Sequence, residues 1–160
     1  MTDIRLPLNV FAQTAVAGQL AEISAAGPES QTCMVNSSSV ATILPAYPVK
    51  LITGTSSIPL VDLAVPGTDE MYGVVLANPK VSSWLKGDIL QVTCAGSVIH
   101  MKSSGSLARG TYVGINSSSY KLQAATGSNA IGLLLDDATT DNLARVQITI
   151  PAAFALASGA

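Results

Sequence analysis

Arg145-Val146-Gln147-Ile148-Thr149-Ile150-Pro151 decides the fold class. Val146, Ile148 and Ile150 alternate with Arg145, Gln147 and Thr149, and Pro151 closes the run. A period of two places the apolar residues on one face of a pleated strand. Working back along the chain, Ile131–Leu135 is an unbroken apolar run that suits a strand buried on both faces. Tyr120–Ala124, Thr111–Ile115, Val98–Met101, Ile89–Cys94 and Tyr72–Leu76 follow in reverse order, separated by Gly, Ser or Asn-Pro. Ile58, Leu60 and Leu63 lie beyond a Gly54 turn, and Tyr47, Val49 and Leu51 alternate before it. Short strands about ten residues apart, with turn chemistry between them, predict an all-β domain. The expected form is a small β-sandwich or β-barrel of short antiparallel strands. No segment is long and periodic enough for a packed helical layer.

The first part of the chain reads differently. Ile4, Leu6, Leu8 and Val10 alternate with Asp3, Arg5, Pro7 and Asn9. Pro7 has no N–H to donate to a ladder, so this stretch suits an edge strand or an extended N-terminal arm. Val16, Leu20 and Ile23 have helical spacing, but Gly18 sits among them without a cap, which predicts a loop or short helix. Gly27-Pro28 and Asn36–Ser39 are turn residues. The expected organisation is an arm and loop region at 1–45, a β domain at 46–151 and a tail at 152–160. Inside the β domain, Leu85-Lys86-Gly87-Asp88-Ile89-Leu90 echoes Ala108-Arg109-Gly110-Thr111-Tyr112-Val113. Each places a glycine before an outgoing strand, where a tight turn needs positive φ. The echo fits either a duplicated unit or one turn reused.

Composition narrows the function. Of 160 residues only 11% are charged, against about 25% in ordinary soluble domains. Such a neutral surface favours association, which points to obligate partners. The net charge is -2 and the eight cations are scattered singly, so no basic stripe exists to neutralise phosphates. Direct nucleic-acid binding is disfavoured. Cys33 and Cys94 have no metal or redox spacing and suit small, buried, reduced residues. The N-terminal apolar run is too short for a signal peptide, and the run from Ile148 to Ala160 is too short to cross a bilayer. The expected product is soluble, made in the cytoplasm and not membrane-bound.

Catalytic chemistry finds little support. His100, the single histidine, lies within an expected strand, and no Gly-x-Ser-x-Gly elbow accompanies it. Asp136, Asp137 and Asp141 form the densest carboxylate cluster, but their spacing fits no EF-hand and suits a solvated hairpin tip. Gly105–Gly110 begins like a phosphate loop, yet Thr111-Tyr112 and a strand follow instead of Lys-Ser/Thr and a helix. Asn36-Ser37-Ser38 and Asn116-Ser117-Ser118 match the glycosylation sequon, which has meaning only for a secreted chain. No enzyme, cofactor or metal site is expected.

From Met71 to Pro151 the order of motifs resembles the capsid cement, or decoration, proteins of tailed bacteriophages. The matching elements are Gly73-Val74-Val75, Lys86-Gly87-Asp88-Ile89-Leu90-Gln91-Val92 and Ala95-Gly96-Ser97-Val98-Ile99-His100-Met101. Leu107-Ala108-Arg109-Gly110, Ala130–Ala138 and Ala144-Arg145-Val146-Gln147-Ile148 follow. Val16-Ala17-Gly18-Gln19-Leu20-Ala21 is similar to the family's N-terminal Gly-Gln/Asp element. Thr111 stands where the family often has an acid, and residues 24–45 have no counterpart. The resemblance implies a structural virion protein on the outer capsid surface, bound across subunits of the major capsid protein. There it would stabilise the shell against DNA pressure, acting as a homodimer or homotrimer. It also implies an arm that adds a strand to a partner's sheet, here through Ile4, Leu6, Leu8, Val10 and Phe11. A receptor- or glycan-binding virion module and a tail-tube-type subunit are the competing readings. The 4% aromatic content leaves few stacking platforms for the first of these.

Overall fold

In the computed structural model the described residues are 16–22, 30–36, 39, 41–54, 56–126 and 129–150. The arm residues Ile4, Leu6, Leu8, Val10 and Phe11 and the tail at 152–160 lie outside them.

One turn, used six times among the described residues, builds much of the fold. In Val16-Ala17-Gly18-Gln19 the fourth residue's N–H donates to the first residue's carbonyl, and Gly18 has a φ of 79°. Leu44–Tyr47, Leu85–Asp88, Cys94–Ser97, Ala108–Thr111 and Thr139–Asn142 close the same bond, with positive φ at Ala46, Gly87, Gly96, Gly110 and Asp141. The third residue's N–H then donates to one carbonyl on a neighbouring segment, and that residue's own N–H donates back to the fourth residue's carbonyl. His100, Val75, Val35, Ile148, Leu134 and Ser103 are the respective receivers. Two residues therefore oppose one, which is a glycine-type β-bulge fused to a turn. Each turn feeds a strand that starts two residues after the bulged residue. The echo between Gly87 and Gly110 is accordingly one turn solution, used in both sheets. In two of these turns the fourth side chain also accepts from the first residue's backbone N–H. Gln19 Oε1 accepts from Val16 N at 3.1 Å, and Asp88 Oδ2 accepts from Leu85 N at 2.7 Å.

The strands are β1 (Leu20–Glu22), β2 (Ser30–Val35), β3 (Pro48–Ile52), β4 (Leu60–Leu63), β5 (Gly73–Val75) and β6 (Ile89–Thr93). They continue as β7 (Val98–Lys102), β8 (Tyr112–Ile115), β9 (Leu122–Ala124), β10 (Ala130–Leu134) and β11 (Leu143–Ile148). No α-helix occurs among the described residues. The protein is all-β, with two sheets. One closes as a five-stranded barrel in the order β2-β4-β3-β5-β6, and the other is an open sheet in the order β1-β7-β11-β10-β8-β9. All pairings are antiparallel except β2 with β4, where Met34 lies beside Leu60 and Val35 beside Val61.

β1 and β2 come from the stretch expected to be arm and loop. Residues 16–19 form the first bulge turn, not a helix, and β1 pairs with β7. β2 completes the barrel between β4 and β6. Its first half, Ser30-Gln31-Thr32, is polar and exposed, which concealed the strand; only Cys33 and Val35 turn fully inward.

A five-stranded barrel has a narrow interior, so β-branched and small side chains fill it. Cys33, Val35, Val49, Val61, Val75, Leu90 and Val92 pack there, and Ile43 and Trp84 join them through a bridge between loops. The second core lies between the barrel wall and the open sheet. Ile99, Met101, Val113, Ile115, Leu122, Ile131, Leu134, Val146 and Ile148 meet Ala46, Ala64, Met71 and Val74 from the barrel. β5 is the wall that both cores share. Val74 faces the sheet and Val75 faces the barrel interior, and neither is exposed. This explains its unbroken apolar sequence. β10 meets its expectation in part: Ile131, Gly132 and Leu134 are buried, while Ala130 and Leu133 are half-buried.

Candidate binding surfaces

The bulge turn at Gly18 is where barrel and sheet are fastened together. Gly18 N donates to His100 O of the sheet at 2.7 Å, while Gly18 O accepts from Ala77 N of the barrel at 2.8 Å. A Cβ at this position would lie 2.8 Å from Ala46 N, 2.9 Å from Val75 O and 3.0 Å from Ala77 N. Only glycine fits both the backbone conformation and the space.

Beside this crossing opens a groove of about 600 Å³. Val16 and Ala17 form one wall, Leu44-Pro45-Ala46-Tyr47 a second, and Ala77, Asn78, Val81 and Ser82 a third. The sheet contributes Lys102, Ser119, Tyr120, Lys121 and Leu143. Its surface is predominantly apolar, and Val16 and Val81 are exposed in it at 53% and 36%. Tyr47 and Tyr120 stack with ring centroids 4.4 Å apart. Two local devices aim these rings at each other. Pro45-Ala46 turns the chain into β3, and Tyr120 itself takes a φ of 53° at the end of the β8–β9 loop. Asn116 shapes that loop: its Oδ1 accepts from Ser118 N and Ser119 N, and its Nδ2 donates to Gln123. Sequence reasoning passed over this groove. Its one visible signal was Leu44-Pro45-Ala46-Tyr47, where proline at the second turn position marks the bend but not what the bend faces.

Other exposed apolar side chains are Leu51, Val65, Leu85, Ile89 and Tyr112. Leu51 lies over a shallow depression at the β3–β4 end of the barrel, and Ile89 borders another with Leu76, Pro79 and Trp84.

The polar candidates disperse into structural pairs. His100 is half-buried on β7 opposite Arg145. Burial, then the Arg145 charge, pushes its imidazole pKa down, and Asp136 opposes them. Asp136 accepts two hydrogen bonds from the Arg145 guanidinium, at 2.8 and 2.9 Å, which hold its carboxyl below the usual range. Asp137 Oδ1 accepts from Arg109 N at 2.8 Å, and Asp141 pairs with Lys121. The three carboxylates thus serve three different partners. Asp69 likewise ties Lys50, at 2.9 Å, to the turn at Val65 N, at 2.8 Å, and its carboxyl is also held low. Among the described residues no three His, Cys, Asp or Glu side chains group as metal ligands would. Cys33 and Cys94 lie on the barrel and are not joined to each other by a disulfide. Burial, reinforced by Cys94, pushes Cys33 up to about 11, and Tyr72, close to both thiols, is raised to about 12 by burial first. Gly105–Gly110 leads into β8 through a bulge turn, so no helix N-terminus faces it.

No protein-family model matches the sequence, and no curated protein is detectably similar to it. Among solved structures the fold is similar to one described as the head fiber gp8.5 N base in bacteriophage phi29. The TM-score is 0.50 at 15% identity, covering 76% of this chain and 94% of that one. At that identity the likeness is one of fold.

Proposed function

We propose that this chain is a non-catalytic structural protein of a phage virion, carried on the outside of the head, and that it acts as a cement or decoration protein. The observation that carries the reading is the shared fold with a head-fibre base, spanning nearly all of that chain. The motif order from Met71 to Pro151 and the low charge point the same way. Its partners on this reading are the major capsid protein and further copies of itself. The attachment element is the arm, with Ile4, Leu6, Leu8, Val10 and Phe11 adding to a sheet of the shell. Main-chain hydrogen bonds would give affinity and alternate side chains would give register. An oligomer multiplies each weak attachment by avidity.

The test mixes purified protein with undecorated, expanded heads and images them. The intact chain should decorate heads and raise the temperature at which they release DNA. A chain lacking residues 2–14 should stay folded and lose decoration. If the shortened chain decorates with unchanged affinity, the arm is not the attachment element. If neither chain binds heads, the capsid reading fails.

A further inference from the structure

We infer that the groove between barrel and sheet is the stowage site of the chain's own N-terminal arm before the protein meets a partner. Three features of the molecule lead there. The groove is apolar, and Val16 and Val81 stand exposed in it. Val16 forms part of the groove's wall, and the chain runs from it directly back into the arm. The segment immediately upstream, Ile4–Phe11, puts apolar side chains at alternate positions, which lets one side of an extended strand face an apolar trough.

Tether length decides between occupants. Four residues separate Phe11 from Val16, a reach of roughly 16 Å when extended. A segment on so short a leash experiences its groove at an effective concentration of order millimolar, far above what a second copy in dilute solution offers. The C-terminal tail is placed less well. β11 ends beside Ser97, where Ile148 N donates to Ser97 O at 2.8 Å. Lys102, which lines the groove, is at the opposite end of β7, about 17 Å from Ser97. Stowage keeps an apolar strand from pairing with the wrong edge. It also lowers the arm's apparent affinity for any partner by the fraction of time the arm is free. The inference concerns the unattached protein and stands whether or not the partner is a capsid.

Arg5 supplies the test, because it is the only Lys or Arg before Lys50. Trypsin cleavage of the Arg5–Leu6 bond is followed by mass in the full chain and in a free peptide of residues 1–15. Cleavage of a segment that opens and closes rapidly tracks its open population. The full chain should be cut at least about fivefold more slowly than the peptide. Val81→Asp, which puts a charge in the groove, should bring the rate to within about twofold of the peptide's. Val16→Asp is the second variant, should the first disturb folding, and circular dichroism checks both. Leu51→Asp, on the distant depression, should leave protection intact. Cutting of the intact chain as fast as the peptide overturns the inference. So does protection that survives in both folded groove variants, or protection that grows with protein concentration, which would mark a second copy as occupant.

Discussion

Replacing Gly18 by alanine should damage the protein far more than the same change at Gly87, although both occupy the third position of the same bulge turn. Their φ values are 79° and 83°, so each alanine incurs the same left-handed backbone penalty, about 1–2 kcal/mol. Ala46, in the equivalent place at 68°, shows that the fold tolerates that penalty. The surroundings differ. A Cβ on Gly87 meets nothing within 4 Å, whereas one on Gly18 falls within 3.0 Å of three backbone atoms. Those atoms are the donor and acceptor of the Ala46 N–Val75 O bond and the donor to Gly18 O. Relief means drawing the turn away from the barrel, which stretches two or three buried hydrogen bonds worth about 1 kcal/mol each. Gly18→Ala should therefore cost about 3–5 kcal/mol and Gly87→Ala about 1–2. With a urea slope of about 2 kcal/mol/M, the unfolding midpoint should fall by roughly 1.5–2.5 M and 0.5–1 M respectively. Equal midpoint shifts for the two variants, measured by circular dichroism, would refute the tight crossing at Gly18.

Three further outcomes follow from the structure. Because His100 has a lowered pKa in the folded state, the unfolded chain binds its proton first as pH falls. Stability should thus be flat above about pH 7 and decline below the imidazole's usual 6.5, and His100→Gln should flatten that decline. The lowered carboxyls of Asp69 and Asp136 act in a separate window, with stability lost only as pH falls below about 4; a His100→Gln profile unchanged between pH 5 and 7 would exclude the histidine. Cys33, raised to about 11, should hold only about a thousandth of its thiol as thiolate at pH 8, so iodoacetamide should leave it unmodified until urea unfolds the chain. Asp141→Gly should leave the thermal midpoint unchanged or raise it slightly, since it relieves a φ of 64° and loses only an exposed pair with Lys121.

The strands from β3 to β11 were legible in the sequence because each buries at least one face, and burial writes its period into the residues. Val146-x-Ile148 read directly as a one-sided strand, and Ile89–Cys94 and Tyr72–Leu76 as short strands, but the full burial of Gly73-Val74-Val75 came only from the structure. The bulge turns were half-legible: Gly87 and Gly110 announced positive φ, but Ala46 and Asp141 adopt it without glycine. β2 was hidden, since three exposed polar residues carry no pattern even when their backbone closes a barrel. What the sequence by itself determined was an all-β chain, low in charge, with an apolar alternating segment ahead of Val16. What tertiary structure alone decided was closure: which strands join as a ring, which wall two cores share, and that Val16, Tyr47, Val81 and Tyr120 gather around one groove. The physical reason is range. Periodicity and turn chemistry act within a few residues, whereas the β2–β6 ladder and the Tyr47–Tyr120 stack join residues more than fifty positions apart, whose encounter no local pattern encodes.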